Sequence, residues 1–85
     1  MSAAAYETCL EELGRLAVRF RLEPIPPRSV LAFEDTEAGI AHAQALGIKV
    51  AAVAHTQRMD RLAAADTHAA RLIDYDLAAL ERELF

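Results

Sequence analysis

Disulfides, membrane spans and secretion signals are all missing from this sequence of 85 residues. Cys9 is the only cysteine, so no intramolecular disulfide can form and a reducing compartment is indicated. No apolar run approaches the ~20 residues that a membrane-spanning helix needs. The first residues also lack a basic segment followed by an apolar core, which is the pattern of a signal peptide. We therefore expect a cytoplasmic protein that has no membrane partner.

Positive charge is also scarce in this chain. Nine Lys and Arg residues stand against 13 Asp and Glu, which gives a net charge of −4. The arginines are scattered and form no basic stripe, which argues against a nucleic-acid partner. Hydrophobic residues make up 54% of the chain, so it is too apolar to be disordered. Its length predicts one small domain that buries roughly 60–65% of its unfolded surface.

The hydrophobic periodicity predicts an α/β fold. Apolar residues at spacings of three and four indicate an amphipathic helix from about Ala4 to Phe20, although Gly14 costs ~1 kcal/mol relative to Ala and predicts fraying or an end near that position. Three prolines between positions 24 and 27 then enforce an extended connection. The remaining predicted elements are strand Val30–Phe33, helix Glu37–Leu46, strand Lys49–Ala54, helix Arg58–Ala65, strand Ala70–Ile73 and helix Asp76–Leu84. The order α-βαβα-βα favours a parallel sheet of about three strands with flanking helices.

Two adjacent carboxylates lie at the turn between the first strand and the second helix. Glu34 and Asp35 belong to the stretch FEDTEAGI, residues 33–40, and ligands of parallel sheets bind beyond the carboxyl ends of the strands. Mg²⁺ is held by one or two carboxylates together with water and substrate phosphate. The pair therefore suits a magnesium site in which one acid binds directly and the other acts through water or through hydrogen bonds that support the ligands. The alternative is that both acids only stabilise the N-terminus of the helix, by ~0.3–1 kcal/mol.

The longer segment FEDTEAGIAHAQALGIKVAAVAHT, residues 33–56, resembles the fourth motif of the haloacid dehalogenase superfamily, in the branch of phosphatases similar to beta-phosphoglucomutase. The resemblance rests on the acidic pair, Thr36, the Ala-Gly-Ile helix entry, Gly47 and the second apolar strand, and looser similarity covers most of the chain. It implies a partial Rossmann-like sheet and a Mg²⁺ cofactor, with Asp35 as the direct ligand and Glu34 beside it. It also implies a phosphorylated small molecule as the substrate of the parent enzyme.

The nucleophile of that family, an aspartate in an Asp-x-Asp-Gly motif, has no counterpart in this sequence. Asp74-Tyr75-Asp76 has the spacing, but Leu77 follows where glycine belongs and the position is downstream of the acidic pair, so we reject it. The family's phosphate-binding lysine precedes the acidic pair, whereas Lys49, the only lysine, follows it. The chain thus resembles the C-terminal portion of a hydrolase core domain, without the nucleophile-bearing N-terminal half and the cap.

Three hypotheses stay open for residues 1–85. The chain is part of a phosphohydrolase that is inactive alone, a non-catalytic interaction module, or a gene fragment. In the resembled family the strand that carries the nucleophile lies beside the motif strand. Without it, Val30–Phe33 becomes an exposed hydrophobic edge, which is the arrangement most prone to pairing with another chain. We therefore expect self-association or a complementing N-terminal half as the partner.

Two further residues are candidate substrate contacts. Thr36 either caps the following helix or contacts phosphate. His55 ends the second strand on the same rim as Asp35, and it is either a contact on the substrate side or a solvated loop residue. Together with His42 and His68, it lacks the spacing of a zinc site.

Overall fold

In the part of the chain that the structure describes, there are three α-helices and three strands, with a helix before, within and after the series of strands. A computed structural model describes residues 1–55 and 57–85. Its helices and strands are α1 (Ala3–Arg19), β1 (Leu31–Glu34), α2 (Glu37–Ala45), β2 (Lys49–Val53), β3 (Thr67–Ala69) and α3 (Leu77–Leu84), with short 3₁₀ turns at Pro27–Ser29, Met59–Leu62 and Leu72–Asp74. The predicted fold class is confirmed. No helix in these residues is long and apolar enough to cross a bilayer.

The three strands form one parallel sheet in the order β1-β2-β3. In this sheet Ala32 lies beside Val50 and Glu34 beside Ala52, while Ala51 lies beside Thr67. All three strands therefore end at the same rim. Among the described residues, β1 and β3 are the two edges of this sheet, and β1 has a neighbour on one side only. The arrangement is compatible with the predicted partial Rossmann-like sheet of three strands.

Helix α1 matches the span that the periodicity predicts, Ala3–Arg19 against about Ala4 to Phe20, and it continues through Gly14. Ser2 caps it by accepting a hydrogen bond from Ala5 N–H at 3.2 Å. The expectation of fraying or an end at Gly14 is wrong, because the helix continues to Arg19. Tyr6 and Ala17, which lie on either side of the glycine, are both buried, so tertiary packing outweighs the local cost of Gly14.

The unit β1-α2-β2 agrees with the sequence analysis to within a residue or two at each end. Thr36 caps α2, since its Oγ1 accepts from Gly39 N–H at 3.0 Å. After the helix, Gly47 has φ = +81°, a conformation that side-chain-bearing residues rarely adopt. The chain therefore reverses at Gly47 and enters β2 parallel to β1.

The C-terminal segment differs from the predicted one. The third strand is Thr67–Ala69 rather than Ala70–Ile73, because Asp66 starts the pairing with β2. Its carboxylate accepts from Val50 N–H at 2.8 Å, and its own N–H donates to Val50 C=O at 3.0 Å. The apolar residues that suggested a strand lie instead in an exposed 3₁₀ turn, Leu72–Asp74. The predicted helix Arg58–Ala65 is reduced to the 3₁₀ turn Met59–Leu62, which no side chain caps.

The core lies on one face of the sheet, beneath α1 and α2. It is built around Tyr6, Ile40, Val50 and Leu62, with alanines between them. Small side chains in β2 and α2 allow the helix to approach the sheet closely. On the opposite face of the sheet, the rings of Phe33 and Tyr75 form an edge-to-face contact, with their centroids 5.6 Å apart.

Candidate functional site

The predicted site is the turn between β1 and α2, at the carboxyl-end rim of the sheet. Glu34 is the last residue of β1, Thr36 caps α2, and Asp35 connects the two. The loop after β2 reaches the same turn, because Gln57 Oε1 accepts a hydrogen bond from Glu37 N–H at 2.6 Å. The rim of the sheet therefore brings together residues from two consecutive loops, as expected for a parallel sheet.

Glu34 is a buried carboxylate that α1 and α2 cover. Its side chain is 3% exposed, and Oε1 accepts a hydrogen bond from Tyr6 Oη at 2.6 Å and pairs with the Met1 α-ammonium. Gly39 packs directly against it, because a Cβ at that position would lie 2.1 Å from Glu34 Oε2. Glu34 therefore lies under α2 and is held there by α1.

The phenol of Tyr6 is the principal side-chain donor to this carboxylate. Burial raises the pKa of Tyr6, and the hydrogen bond to Glu34 and the charge of Glu34 raise it further. The phenol consequently keeps its proton at neutral pH and remains a hydrogen-bond donor. Neither Tyr6 nor Gly39 was a predicted site residue. The apolar stripe of α1 contains Tyr6, but nothing in that stripe indicates which strand residue the hydroxyl contacts.

Asp35 is the other predicted metal ligand, and it is half-buried at the turn. A magnesium ion requires about six oxygen ligands in octahedral geometry, several of them water. Within residues 1–55 and 57–85, no group of three or more His, Cys, Asp or Glu side chains could hold a metal ion. With Glu34 engaged under α2, the side chains of the described residues do not by themselves fit magnesium. The assignment of Asp35 and Glu34 to a metal stays a prediction that needs further ligands.

The two predicted substrate contacts occupy the same rim. Thr36 is half-buried and its hydroxyl is engaged as the helix cap. His55 is exposed two residues after the end of β2, and its N–H donates to Val53 C=O at 2.9 Å. Thr56, the last residue of the segment that carries the resemblance, lies outside the described residues. The substrate role of Thr36 and His55 stays a prediction.

Two of the first-turn N–H groups of α2 are already satisfied by side chains. Gln57 accepts from Glu37 N–H, and Thr36 accepts from Gly39 N–H. An exposed ion pair between Arg61 Nε and Glu37 Oε2, at 3.0 Å, lies beside them. An anion at this helix end would have to displace the Gln57 amide, so the turn presents fewer donors than an open helix N-terminus.

The two aspartates of the rejected Asp-x-Asp pair, Asp74 and Asp76, each have a structural role. Asp74 forms an ion pair with Arg71 at 3.1 Å and also accepts from the Arg71 N–H. Asp76 caps α3, since its Oδ1 accepts from Ala78 N–H at 2.9 Å. These contacts account for both aspartates without a catalytic role.

Comparison with protein-family models, with curated proteins and with solved structures finds no match for this chain.

Proposed function

We propose that this chain is the C-terminal part of a haloacid-dehalogenase-like hydrolase core that acts on phosphate esters, and that it contributes Asp35 to a magnesium-assisted site. One observation carries the proposal. The acidic turn lies at the carboxyl end of β1, which is an edge strand of a parallel sheet. Ligands of open parallel sheets bind at this rim, and the outer side of β1 offers room for the strand that would bring the missing residues.

The two acids have different roles in this proposal. Asp35 lies at the turn and is the residue that would bind the ion. Glu34 supports the turn, because its carboxylate is held under α2 by the hydrogen bond from Tyr6 and by packing against Gly39. Such supporting contacts orient the residues that act directly. Thr36 and His55 would face a phosphorylated small molecule in the completed site. We place the protein in the cytoplasm, where the exposed thiol of Cys9 would stay reduced.

The chain alone lacks the nucleophile that forms a phosphoryl-enzyme intermediate, so we expect no turnover from it. An N-terminal half with an Asp-x-Asp-Gly motif and a lysine would add a strand beside β1 and complete the set of ligands. An aspartate of that half would then attack the phosphorus of the ester, the alcohol would leave, and water would release phosphate from the aspartyl phosphate. The ion would supply positive charge opposite the phosphate, and Asp35 is the residue of this chain that would help to hold it.

The test measures hydrolysis of p-nitrophenyl phosphate in the presence of Mg²⁺. The chain alone is compared with the chain plus the N-terminal half of a beta-phosphoglucomutase-like phosphatase. We expect activity only in the complemented sample, and we expect its loss with Asp35→Asn. Asp60→Asn is the matched control, because Asp60 is exposed and forms a surface ion pair with Arg58. Turnover by the chain alone that disappears with Asp74→Asn but survives Asp35→Asn would contradict the proposal.

Magnesium binding gives a second test that needs no substrate. Calorimetric titration of the chain alone should find binding only in the millimolar range or weaker, an order-of-magnitude expectation from its small number of oxygen ligands. Asp35→Asn should remove this binding. A tight site that survives the substitution would assign the ion to other residues and contradict the role of Asp35.

A non-catalytic interaction module is the second candidate function. The observation that favours it is the absence, in the described residues, of a cluster of three metal-ligating side chains combined with the open edge of β1. If the complemented sample stays inactive although both halves bind each other, this second function is favoured over the hydrolase.

A further inference from the structure

The outer edge of β1 carries backbone groups that no strand in the described residues satisfies. Lys49 N–H donates to Val30 C=O at 3.0 Å, and backbone groups alternate in direction along a strand. Val30 and Ala32 therefore direct their N–H and C=O groups towards β2. Leu31 and Phe33 direct theirs outward. Two donors and two acceptors thus line the edge.

The side chains of this edge are apolar. Leu31 and Phe33 lie on the same face as Tyr75, and Phe33 is 39% exposed even though it contacts the Tyr75 ring. On the other face a depression of ≈ 260 Å³ opens between α1 and β1, with Tyr6 and Leu10 on one side and Val30 to Phe33 on the other. β1 also contains no lysine or proline, the residues that commonly block pairing at an edge. Its one charged residue, Glu34, is buried.

We propose that a second copy of this chain pairs with β1 through β1, in an antiparallel register centred on Ala32. The outward-directed residues are two positions apart, so this register places Leu31 of each copy opposite Phe33 of the other. Each such pair exchanges two hydrogen bonds, and all outward backbone groups of both edges are satisfied by four bonds. Ala32 faces its own equivalent on the two-fold axis, and the result is a continuous sheet of six strands.

The charges at the ends of β1 favour the antiparallel direction. Arg28 is exposed just before the strand, and Asp35 follows it. Antiparallel pairing brings the Arg28 end of one copy to the Asp35 end of the other, twice in the dimer. Parallel pairing would place like charges together. Only the antiparallel arrangement also gives a closed two-fold symmetric dimer.

The dimer does not rest on the proposed hydrolase function. An N-terminal half would use the same edge of β1, so the dimer and the complemented enzyme would exclude each other. A failed phosphatase assay would contradict the hydrolase proposal but not the dimer. A chain that is monomeric in solution would contradict the dimer but not the hydrolase proposal.

Sedimentation velocity over a range of concentrations tests the inference with Leu31→Pro as the decisive variant. Proline fits an edge strand whose N–H faces solvent, so it spares the bonds from β1 to β2 but removes two of the four intermolecular bonds. We expect a wild-type dimer, a dissociation constant weakened by ~30-fold in Leu31→Pro, and an unchanged dimer in Leu31→Val, which keeps the N–H. Far-UV circular dichroism checks that each variant is folded.

Several results would overturn the proposal. A wild-type chain that stays monomeric at every concentration would contradict the dimer, and the edge of β1 would then be available to a complementing half. A dimer or larger assembly that Leu31→Pro does not weaken would place association on another surface.

Disulfide trapping tests the register and decides the matter should Leu31→Pro fail to fold. In a Cys9→Ser background, Ala32→Cys places two thiols at a non-hydrogen-bonded pair with Cα atoms about 4.5 Å apart, within disulfide range. Phe33→Cys places each thiol opposite residue 31, away from its equivalent. We expect oxidation to link Ala32→Cys and not Phe33→Cys. The reverse pattern, or no link at either position, would refute the register and the proposed dimer.

Discussion

The layer formed by α1 and α2 and the C-terminal segment, residues 70–85, have similar apolar content but very different burial. Ile40 is 1% exposed beneath α1, whereas Ile73 is 81% exposed in the turn before α3. In the C-terminal segment only Leu80 is buried among the large apolar residues, while Leu72 and Leu77 remain mostly in solvent. Hydrophobic character alone therefore does not predict which residues form this core.

The difference follows from what each helix can contact. Helix α1 has 17 residues and packs against α2, in which Gly39, Ile40 and Ala43 are buried. Helix α3 has eight residues, too few to be stable without extensive packing. Stability should therefore be concentrated in the layer of α1, α2 and the sheet. Four predictions test this asymmetry, from the largest expected effect to the smallest.

The first prediction compares two isoleucines. Ile40→Ala should lower the free energy of unfolding by about 2–5 kcal/mol, because it leaves a cavity in the close-packed layer. Ile73→Ala, the matched control, should change it by less than ~0.5 kcal/mol, since the side chain is exposed. Urea denaturation followed by circular dichroism measures both. Equal costs would mean that the C-terminal segment contributes to the core as much as α2 does.

The second prediction compares two helical glycines. Gly39→Ala should destabilise the fold by about 1–3 kcal/mol, because the added Cβ would lie 2.1 Å from the Glu34 carboxylate. At Gly14 no atom lies within 4 Å of an added Cβ, so Gly14→Ala should stabilise α1 by up to ~1 kcal/mol. The same denaturation experiment serves for both variants. A neutral Gly39→Ala would show that Glu34 is not packed against α2.

The third prediction compares the two tyrosines. Tyr6→Phe removes a donor from the buried Glu34 carboxylate and should cost about 1–3 kcal/mol. Tyr75→Phe removes a 2.5 Å hydrogen bond to Ala52 C=O and should cost about 0.5–1.5 kcal/mol, because a neutral acceptor is less costly to leave unpaired. Thermal or urea unfolding ranks the two variants. A larger loss of stability in Tyr75→Phe than in Tyr6→Phe would mean that the C-terminal segment contributes more to stability than the layer of α1 and α2.

The fourth prediction concerns alkaline pH. Burial raises the pKa of both tyrosines above the ordinary value of 10.0, so the folded chain holds these protons more tightly than the unfolded chain does. This contribution to stability is fully present below pH 10 and is lost progressively as the pH rises above 10. Absorbance at 295 nm should show tyrosinate in urea near pH 10 but only at higher pH in buffer. A titration near pH 10 in the folded protein would contradict the burial of both phenols.

The sequence predicted the central unit of the fold well because its signals are local. The cap at Thr36 depends on a few neighbouring residues and occurs where expected, and the reversal at Gly47 depends on the positive φ of that one glycine. The third strand was misplaced because Leu72 and Ile73 look like a buried strand. The contact that defines the real strand, between Asp66 and Val50, spans 16 positions and has no local signature. For the candidate site, the sequence located the acidic turn but not the side chains that surround it.

The sequence by itself determined the α/β class, the βαβ unit and the acidic pair at its turn, because periodicity, capping and glycine conformation act within a few residues. Tertiary structure alone decided how the two acids differ. Adjacent residues at the end of a strand take different environments, so Glu34 lies under α2 with Tyr6 as its donor, while Asp35 stays half-buried at the rim. Tertiary structure also decided that β1 is an edge strand, because strand order depends on pairing between segments that are distant in sequence.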